Sequence, residues 1–247
     1  MSGDNAIGVI VDSIYNKYII KIIGDNMAFI SVFDVLGPNM IGPSSSHTAG
    51  ACVIAFLARK MIGGNPKKVE FILYGSFAKT YKGHGTDRAL LGGLMGFGTD
   101  DVRIRDSFSI ATERGIEYKF TPNSEIIEIH PNTVDVCMED EEGRKVTVRG
   151  ESLGGGKVRI VKIDQVDIDF SGEYSAIILV HRDRPGVIAY ISKILSEHNI
   201  NIAFMKLYRE SKGNKAYTII ESDEMIPPDI KPGLYKNEHI SQVMIVQ

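Results

Sequence analysis

The order of patterned segments in residues 173–247 constrains the fold of this chain more than any other feature. The apolar run SAIILVHR is followed by the turn residues DRPG and then by VIAYISKILSEHN, which has the pattern of a helix. Two further strand-like runs, a loop or short helix and a last apolar run complete the chain. This β-α-β-β-(α)-β order predicts a ferredoxin-like βαββαβ domain.

Residues 28–170 mix helical and strand patterns, which predicts an α+β domain. In AGACVIAFLARKMIGG the apolar residues recur at helical spacing, and the two final glycines predict the end of the helix. In KGHGTDRALLGGLMGFG we expect a glycine loop and then a helix that is capped by Thr86, with Asp87 in its first turn.

Strand-like segments with turn residues between them fill the rest of this domain. The glycines at 154–156 predict a tight turn. The stretch at 164–174 is acidic and weakly patterned, so we place the domain boundary there, with the first domain ending at 170 and the second beginning at 173. The predicted strands are VEFILYG, IEYKF, EIIEIHP, VDVCMED, KVTVRGES and KVRIVKID.

Residues 1–27 are interpreted as an N-terminal extension. Their apolar stretch carries Asp12, Lys17 and Lys21, which makes it too charged, as well as too short, to span a bilayer. It has neither the basic start nor the small-residue cleavage site of a secretory signal. The whole chain has a formal net charge of −3, which gives no electrostatic case for nucleic-acid binding. We therefore expect a cytoplasmic chain that binds neither nucleic acid nor membrane.

The stretch GPSSSHTAGA at 42–51 places four hydroxyls and an imidazole before an apolar helix. One serine could cap the helix while the others lie in a loop, but a cap accounts for one hydroxyl only. A helix N-terminus holds anions through its free N–H groups, and His47 can carry a proton near neutral pH. The stretch thus indicates a site with acid–base capacity for a small carboxylate or phosphate. The candidate binding hydroxyls are those of Ser44, Ser45, Ser46 and Thr48.

A second stretch, KGHGTDRA, repeats this arrangement of a flexible loop, a histidine and a helix. Gly83 and Gly85 would free the backbone around His84. The alternative is an ordinary helix start with a surface histidine. Because two such loops occur in one domain, a shared site with His47 and His84 as its acid–base pair is favoured. The chain has no P-loop, and no GxGxxG follows a predicted strand, so no dinucleotide fold is predicted.

The run HRDRPGV marks a candidate binding turn in the second domain. Its Pro-Gly pair ends a strand and starts a helix, so the N–H of Gly186 can face a ligand. We expect His181, Asp183 and Asn201 to converge there at one edge of the sheet. The alternative is an ordinary strand–helix turn.

Cys52 and Cys137 are the two cysteines of the chain. Two cysteines cannot make a disulfide framework, and they cannot supply the usual four thiolates of an iron–sulfur cluster. We expect them to be small buried thiols in a reducing compartment, and we predict no metal site in this chain.

Four stretches of the sequence, two of which contain the loops of His47 and His84, together resemble the beta subunit of iron–sulfur-dependent L-serine dehydratase. The resemblance covers almost everything from Met27 onward, and it implies an allosteric-substrate-binding-type domain followed by a regulatory ACT domain. HRDRPGV with Asn201 is similar to the serine-sensing ACT domain of phosphoglycerate dehydrogenase, although Asp183 stands where that pattern usually has asparagine. The strings that carry the main resemblance are VFDVLGPNMIGPSSSHTAGA, YGSFAKTYKGHGTDRAL, HPNT and SLGGGK.

The resemblance implies conversion of L-serine to pyruvate and ammonia. It also implies a 4Fe–4S cluster that is held by an alpha subunit rather than by this chain and that acts as a Lewis acid on the substrate hydroxyl. The Ser44–Thr48 loop and the His84 loop would then face the cluster and complete the site. Further implied partners are an amino-acid effector and a second copy of the chain, which would pair through the ACT domain.

A different class of function also fits the residues. The chain could be a non-catalytic amino-acid-sensing protein, related to the regulatory domains of phosphoglycerate dehydrogenase. The two histidine loops favour the enzyme subunit, since a sensor needs no acid–base pair.

Overall fold

The computed structural model describes residues 39–126 and 128–247. In this part of the chain, the first regular element is a six-residue π-helix at Ser45–Gly50, which runs directly into α1, Ala51–Ile62. The predicted extension at 1–27 and the start of the first domain at 28–38 lie outside these described residues. The further helical segments are α2 (Gly75–Thr80), α3 (Thr86–Leu94), a 3₁₀ segment (Val102–Asp106), α4 (Ser107–Glu113), α5 (Val187–Glu197) and α6 (Ile230–Leu234).

The first sheet has six strands. They are β1 (Pro66–Tyr74), β2 (Glu117–Asn123), β3 (Thr133–Asp140), β4 (Lys145–Gly154), β5 (Lys157–Ile163) and β6 (Val166–Phe170). Their order across the sheet is β2-β1-β3-β4-β5-β6. β1 and β2 pair in parallel, and the other neighbours pair antiparallel.

The second sheet has four strands. They are β7 (Ser175–Arg182), β8 (Phe204–Arg209), β9 (Lys215–Ser222) and β10 (Ile240–Val246), in the order β10-β7-β9-β8. Helix α5 connects β7 to β8, and α6 lies between β9 and β10. The α+β class and the predicted βαββαβ order of the second half are therefore confirmed.

Helices α1 and α3 cover one face of the first sheet. Phe71, Leu73 and Val136 point from the strands into the same buried core as Ile54 of α1. The two helices approach very closely, because a Cβ added at Gly93 of α3 would lie 2.1 Å from the carbonyl oxygen of Cys52. The close contact brings the C-terminal end of α3 against the N-terminal end of α1.

The second sheet is covered on both faces. Ile177 and Leu179 pack on the same side as helices α5 and α6, whereas Ile178, Tyr217 and Met244 join the core of the first domain. The described residues accordingly belong to one compact unit. The C-terminal part of α1 contacts β10, and the N-terminal end of the same helix follows the π-helix.

Two local predictions are wrong. The segment EIIEIHP forms no strand in its described residues, since Pro131 and the turn around it carry the chain from β2 to β3. Thr86 does not cap α3, because Gly85 occupies the N-cap position with φ of 67°, where glycine meets no steric cost. Thr86 is instead the first, fully buried residue of the helix, and Asp87 lies in its first turn as predicted.

The weakly patterned stretch at 164–174 contains β6, whose residues alternate between buried and exposed. The glycines at 154–156 have φ values of 98°, 61° and 82° and form the predicted tight turn between β4 and β5. Within the part of the chain that the structure describes, no helix is long and apolar enough to cross a bilayer.

Candidate active site

The π-helix before α1 positions His47. Ser44 is its N-cap, with extended backbone, and the Ser44 hydroxyl accepts a hydrogen bond from the N–H of His47 at 3.2 Å. Strand β4 packs against the π-helix, and its Ser152 hydroxyl donates to the carbonyl of Ser46 at 2.9 Å. A Cβ at Gly50 would lie 2.0 Å from that same hydroxyl, so the small residue lets the helix approach the sheet. Helical segments of the π type are often found at functional sites.

Both ring nitrogens of His47 face serine hydroxyls. Nδ1 lies 3.1 Å from Ser46 Oγ and 3.4 Å from Ser44 Oγ, and Nε2 lies 2.9 Å from Ser76 Oγ. A neutral imidazole donates from one nitrogen and accepts at the other, and a hydroxyl can serve either role. The hydroxyls therefore fix the orientation of the ring in both of its neutral tautomers.

His84 lies directly beside His47, as the sequence predicted. The two ring centroids are 4.8 Å apart, with the rings edge to face. The Thr48 hydroxyl ties the two loops together by donating to the carbonyl of His84 at 3.1 Å. The Nδ1 atom of His84 is buried, and no group among the described residues hydrogen-bonds to it. One of the two histidines thus carries a ring nitrogen that the described part of the chain leaves unsatisfied.

The electrostatics of the pair favour a neutral His47. Burial, and second the neighbouring charge of His84, hold the pKa of His47 below its ordinary value. A neutral imidazole can accept a proton from a substrate, whereas a protonated one cannot.

The hydroxyls that the sequence indicated do not share one role. Ser44 and Ser46 contact the His47 ring, while Thr48 is buried and is committed to the other loop. Ser45 lies half-buried at the first position of the π-helix.

Sequence reasoning missed Ser76, although it lies in a string that carries the family resemblance. It follows Gly75, which has φ of 53° and whose Cβ position would lie 2.7 Å from the backbone of Pro131. The signal that could have found it is a Gly-Ser pair directly after a buried strand. Such a pair is typical of a sharp strand-to-helix turn that exposes the serine hydroxyl.

The second candidate site lies at the end of β7. His181 is 3% exposed, and its Nδ1 and Nε2 each lie 2.8 Å from a partner, the carbonyl of Arg182 and the Thr218 hydroxyl. The Asp183 carboxylate accepts from the N–H of Gly213 at 3.0 Å and from Arg209 at 3.2 Å. These two hydrogen bonds hold the pKa of Asp183 below its ordinary value, which compensates the charge that this position adds.

The predicted convergence of His181, Asp183 and Asn201 is wrong within one chain. β7 and β8 are both antiparallel to β9, so they run in the same direction. The chain leaves β7 at one end of the sheet and enters β8 at the other end. Asn201 therefore lies at the opposite end of the sheet from Asp183. Gly186 is at the Asp183 end, where it caps α5 with φ of 88°.

An open cavity of about 510 Å³ adjoins the end of β7. Its lining is mostly charged, which suits a small polar ligand better than an apolar one. The lining residues include His181, Arg182, Arg184, Glu210, Lys215 and Glu238.

The cysteines do not fit an iron–sulfur cluster. The buried Cys52 thiol donates to the carbonyl of Phe97 at 3.4 Å, and burial raises its pKa to about 12. Burial also raises the pKa of Cys137, which lies on β3. Cluster ligands are thiolates, and these two groups are held as thiols. Among residues 39–126 and 128–247, no group of three or more His, Cys, Asp or Glu side chains is placed to hold a metal ion.

Comparison with known proteins identifies the family. The sequence matches the serine dehydratase beta chain family over residues 31–162 and the ACT domain family over residues 174–234. It is 42% identical over 217 residues to a probable L-serine dehydratase beta chain of Bacillus subtilis (strain 168), an alignment that covers 88% of this chain and 98% of that one. It is 41% identical over 221 residues to an L-serine dehydratase beta chain of Peptoniphilus asaccharolyticus, which covers 90% and 100%.

A more distant likeness extends to dehydrogenases. A D-3-phosphoglycerate dehydrogenase of Methanocaldococcus jannaschii is 25% identical over 207 residues, which is 83% of this chain but only 38% of the dehydrogenase. The beta chains match this sequence over nearly their whole length, and both histidine loops lie within the matched residues. The chain therefore belongs to the serine dehydratase beta chain family, with an ACT domain following the family domain.

Proposed function

We propose that this chain is the beta subunit of an L-serine ammonia-lyase, and that it lends its serine and histidine loops to a cluster-bearing alpha subunit. The observation that carries the proposal is the His47–His84 pair, with ring centroids 4.8 Å apart and serine hydroxyls on both nitrogens of His47. The two beta-chain relatives are described as chains of L-serine dehydratase, which supports L-serine as the substrate. Their being beta chains supports a separate alpha partner.

The reaction removes the α-proton and the hydroxyl group of L-serine. The resulting aminoacrylate becomes an imine, and water converts the imine to pyruvate and ammonia. A 4Fe–4S cluster is assigned to the alpha subunit, because the two thiols of this chain do not fit it. This chain would hold the substrate and move its α-proton.

The two histidines fit different parts of this task. His84 has a buried, unpartnered Nδ1, which makes it the group that is free to accept the α-proton. His47 keeps both nitrogens on hydroxyls and stays neutral, so it fits an orienting role and can take the proton onward. The hydroxyls of Ser44–Ser46, at the start of a continuous helix, suit the substrate carboxylate.

Reconstitution tests the proposal. The isolated chain should be colourless and inactive on L-serine. Anaerobic mixing with a cluster-bearing alpha chain should give a brown complex that forms pyruvate, whereas the alpha chain alone should form none. Pyruvate formation by the isolated, metal-free beta chain would contradict the proposal.

The second part of the proposal concerns regulation. We propose that the ACT domain binds an amino-acid effector and that two copies pair through β8. This strand is an edge of its sheet, and its Phe204 and Leu207 are 54% and 45% exposed. If the β8 strands of two copies paired antiparallel, the strands of the partner's sheet would run in the opposite direction. Asn201 of one copy would then lie at the end that carries Asp183 and Gly186 of the other.

The described contacts also offer a route from effector to active site. In β10, the side-chain amide of Gln242 donates to the carbonyls of Met61 and Ile62 at 3.4 Å. These carbonyls end α1, and the other end of α1 follows the π-helix that carries His47. A shift of the ACT sheet would therefore act on the helix that positions the histidine.

The distant dehydrogenase relatives favour a second candidate function. Their match over 207 residues suits a purely regulatory amino-acid-sensing protein. Such a sensor would bind an amino acid but would form no pyruvate in any complex, so the same reconstitution separates the two functions.

A further inference from the structure

Asn132 lies in the turn between β2 and β3, between two groups that hold His47. Its backbone carbonyl accepts from the N–H of Ser152 at 2.9 Å, and the Ser152 hydroxyl in turn donates to the carbonyl of Ser46. The preceding carbonyl, that of Pro131, accepts from the N–H of Ser76 at 2.6 Å. Two backbone hydrogen bonds therefore place the turn of Pro131 and Asn132 next to Ser76, which contacts the imidazole, and next to Ser152, which holds the Ser46 carbonyl.

The side chain of Asn132 has an acceptor oxygen to which no described group donates a hydrogen bond. Its Oδ1 atom is buried and has no hydrogen-bond partner among residues 39–126 and 128–247. Its Nδ2 lies 3.5 Å from the carbonyl of Ser152, which is a long hydrogen bond. Buried amide oxygens in folded proteins are nearly always paired, and an unpaired one costs free energy. An acceptor kept in this condition beside a candidate active site indicates that a ligand supplies the donor.

The neighbouring groups show which donor is needed. Among the described residues, the side chains that hydrogen-bond to His47 are serine hydroxyls, and none is a carboxylate. Hydroxyls and N–H groups suit the carboxylate of an amino acid. Its ammonium group carries three donors and no acceptor, so it needs oxygen atoms such as Oδ1 of Asn132.

We propose that Asn132 Oδ1 binds the ammonium group of the substrate and so selects amino acids over hydroxy acids. The inference rests on the proposed function, since it names the part of L-serine that this residue recognises. A site built to hydrogen-bond a substrate N–H group rejects an analogue that lacks it, because the buried acceptor is then left unpaired. A loss of such a bond to a charged group weakens binding about 10- to 100-fold.

The test compares two ligands of the assembled enzyme. L-Serine is one, and its KM is measured from pyruvate formation by the anaerobic complex. The other is 3-hydroxypropanoate, which is L-serine without its amino group, and its dissociation constant is measured by calorimetry. Asn132→Ala should raise the KM for L-serine about 10- to 100-fold and leave the dissociation constant of 3-hydroxypropanoate unchanged. Asn65→Ala, in the exposed turn before β1, is the control and should change neither.

A second variant separates recognition from structure. Asn132→Asp keeps the oxygen acceptors and removes the Nδ2 donor, so L-serine should bind within about threefold of the wild type. The proposal is overturned if Asn132→Ala leaves L-serine binding unchanged, or weakens both ligands equally. It is also overturned if Asn132→Asp weakens L-serine as much as Asn132→Ala does. A wild-type complex that forms no pyruvate would instead count against the proposed function.

Discussion

The imidazole rings of His47 and His84 lie edge to face, with centroids 4.8 Å apart, at the N-terminal ends of two helices that touch through their backbones. The helices touch because Gly93, near the C-terminal end of α3, leaves room for the carbonyl of Cys52 in α1. The two loops are also joined directly, since the Thr48 hydroxyl donates to the carbonyl of His84.

Removal of either histidine should lower turnover without affecting assembly. Loss of one general acid–base group typically costs ~10²–10⁴-fold in rate. His47→Ala and His84→Ala should each fall in that range, measured as pyruvate formed per cluster in the complex with the alpha subunit. His198→Ala, at the end of α5, is the matched control and should keep full turnover. Near-full turnover in both site variants would mean that the loops serve only as helix starts.

Gly93→Ala should destabilise the chain through the helix contact. The added methyl group would meet the Cys52 carbonyl at 2.1 Å, and backbone cannot move aside as a side chain can. Overpacking of this kind costs about 1–3 kcal/mol. Gly233→Ala in α6 is the control, because its nearest neighbour would be at 3.6 Å, an ordinary contact. Chemical denaturation of the isolated chain measures both, and equal stabilities would show that α1 and α3 can separate freely.

The stability of the chain should fall below neutral pH partly because of His47. Its pKa in the folded chain is below the ordinary value of 6.5, so the unfolded chain takes up a proton first as the pH falls. The contribution of neutral His47 is fully present above about pH 6.5 and is lost as the pH falls toward the lowered folded pKa. His47→Gln should therefore lose less free energy of unfolding than the wild type between about pH 7.5 and 5.5. Parallel curves for the two proteins would contradict a lowered pKa.

Sequence patterns predicted those parts of the fold that depend on neighbouring residues. Turn residues and helical spacing were enough to predict α1, α5 and the order of strands in the second half. Two loops of similar composition led to the prediction of a shared site, and the structure brings the rings of His47 and His84 together. The capping of α3 was missed because a glycine with φ of 67° leaves no side chain to recognise.

The features that were missed or wrongly predicted depend on contacts between residues far apart in the sequence. Ser76 contacts His47, and Asn132 contacts Ser152 of β4, through pairings between distant segments that no local spacing encodes. Asn201 was placed with Asp183 because they share one strand–helix–strand unit. The parallel direction of β7 and β8 separates them by the length of the sheet.

Neither cysteine should be needed for the iron of the complex. Cys52 is a buried thiol with a pKa of about 12, and Cys137 is also held as a thiol by burial. The double variant with Cys52→Ser and Cys137→Ser should bind the alpha subunit with unchanged iron and sulfide content, since a serine hydroxyl can also donate to the Phe97 carbonyl. A loss of iron in this variant, with assembly intact, would mean that this chain contributes a cluster ligand.

The effector site should require residues from two copies of the chain. Asp183 and Asn201 lie at opposite ends of one sheet, so an effector that contacts both must bridge two sheets. Asp183→Ala and Asn201→Ala should therefore each abolish effector binding when present in every copy. A mixture of the two variants forms hybrid pairs in which one of the two sites is intact, so part of the binding should return. Ser196→Ala, on the exposed face of α5, serves as the control.

Calorimetry with a panel of amino acids, on the separate and mixed variants, measures this recovery. The recovered stoichiometry should approach one effector per hybrid pair, because the second site of each hybrid carries both substitutions. Binding that stays absent after mixing would contradict a site that takes Asp183 from one copy and Asn201 from the other. A chain that remains monomeric at micromolar concentration would contradict the pairing through β8, since no second copy could then supply Asn201.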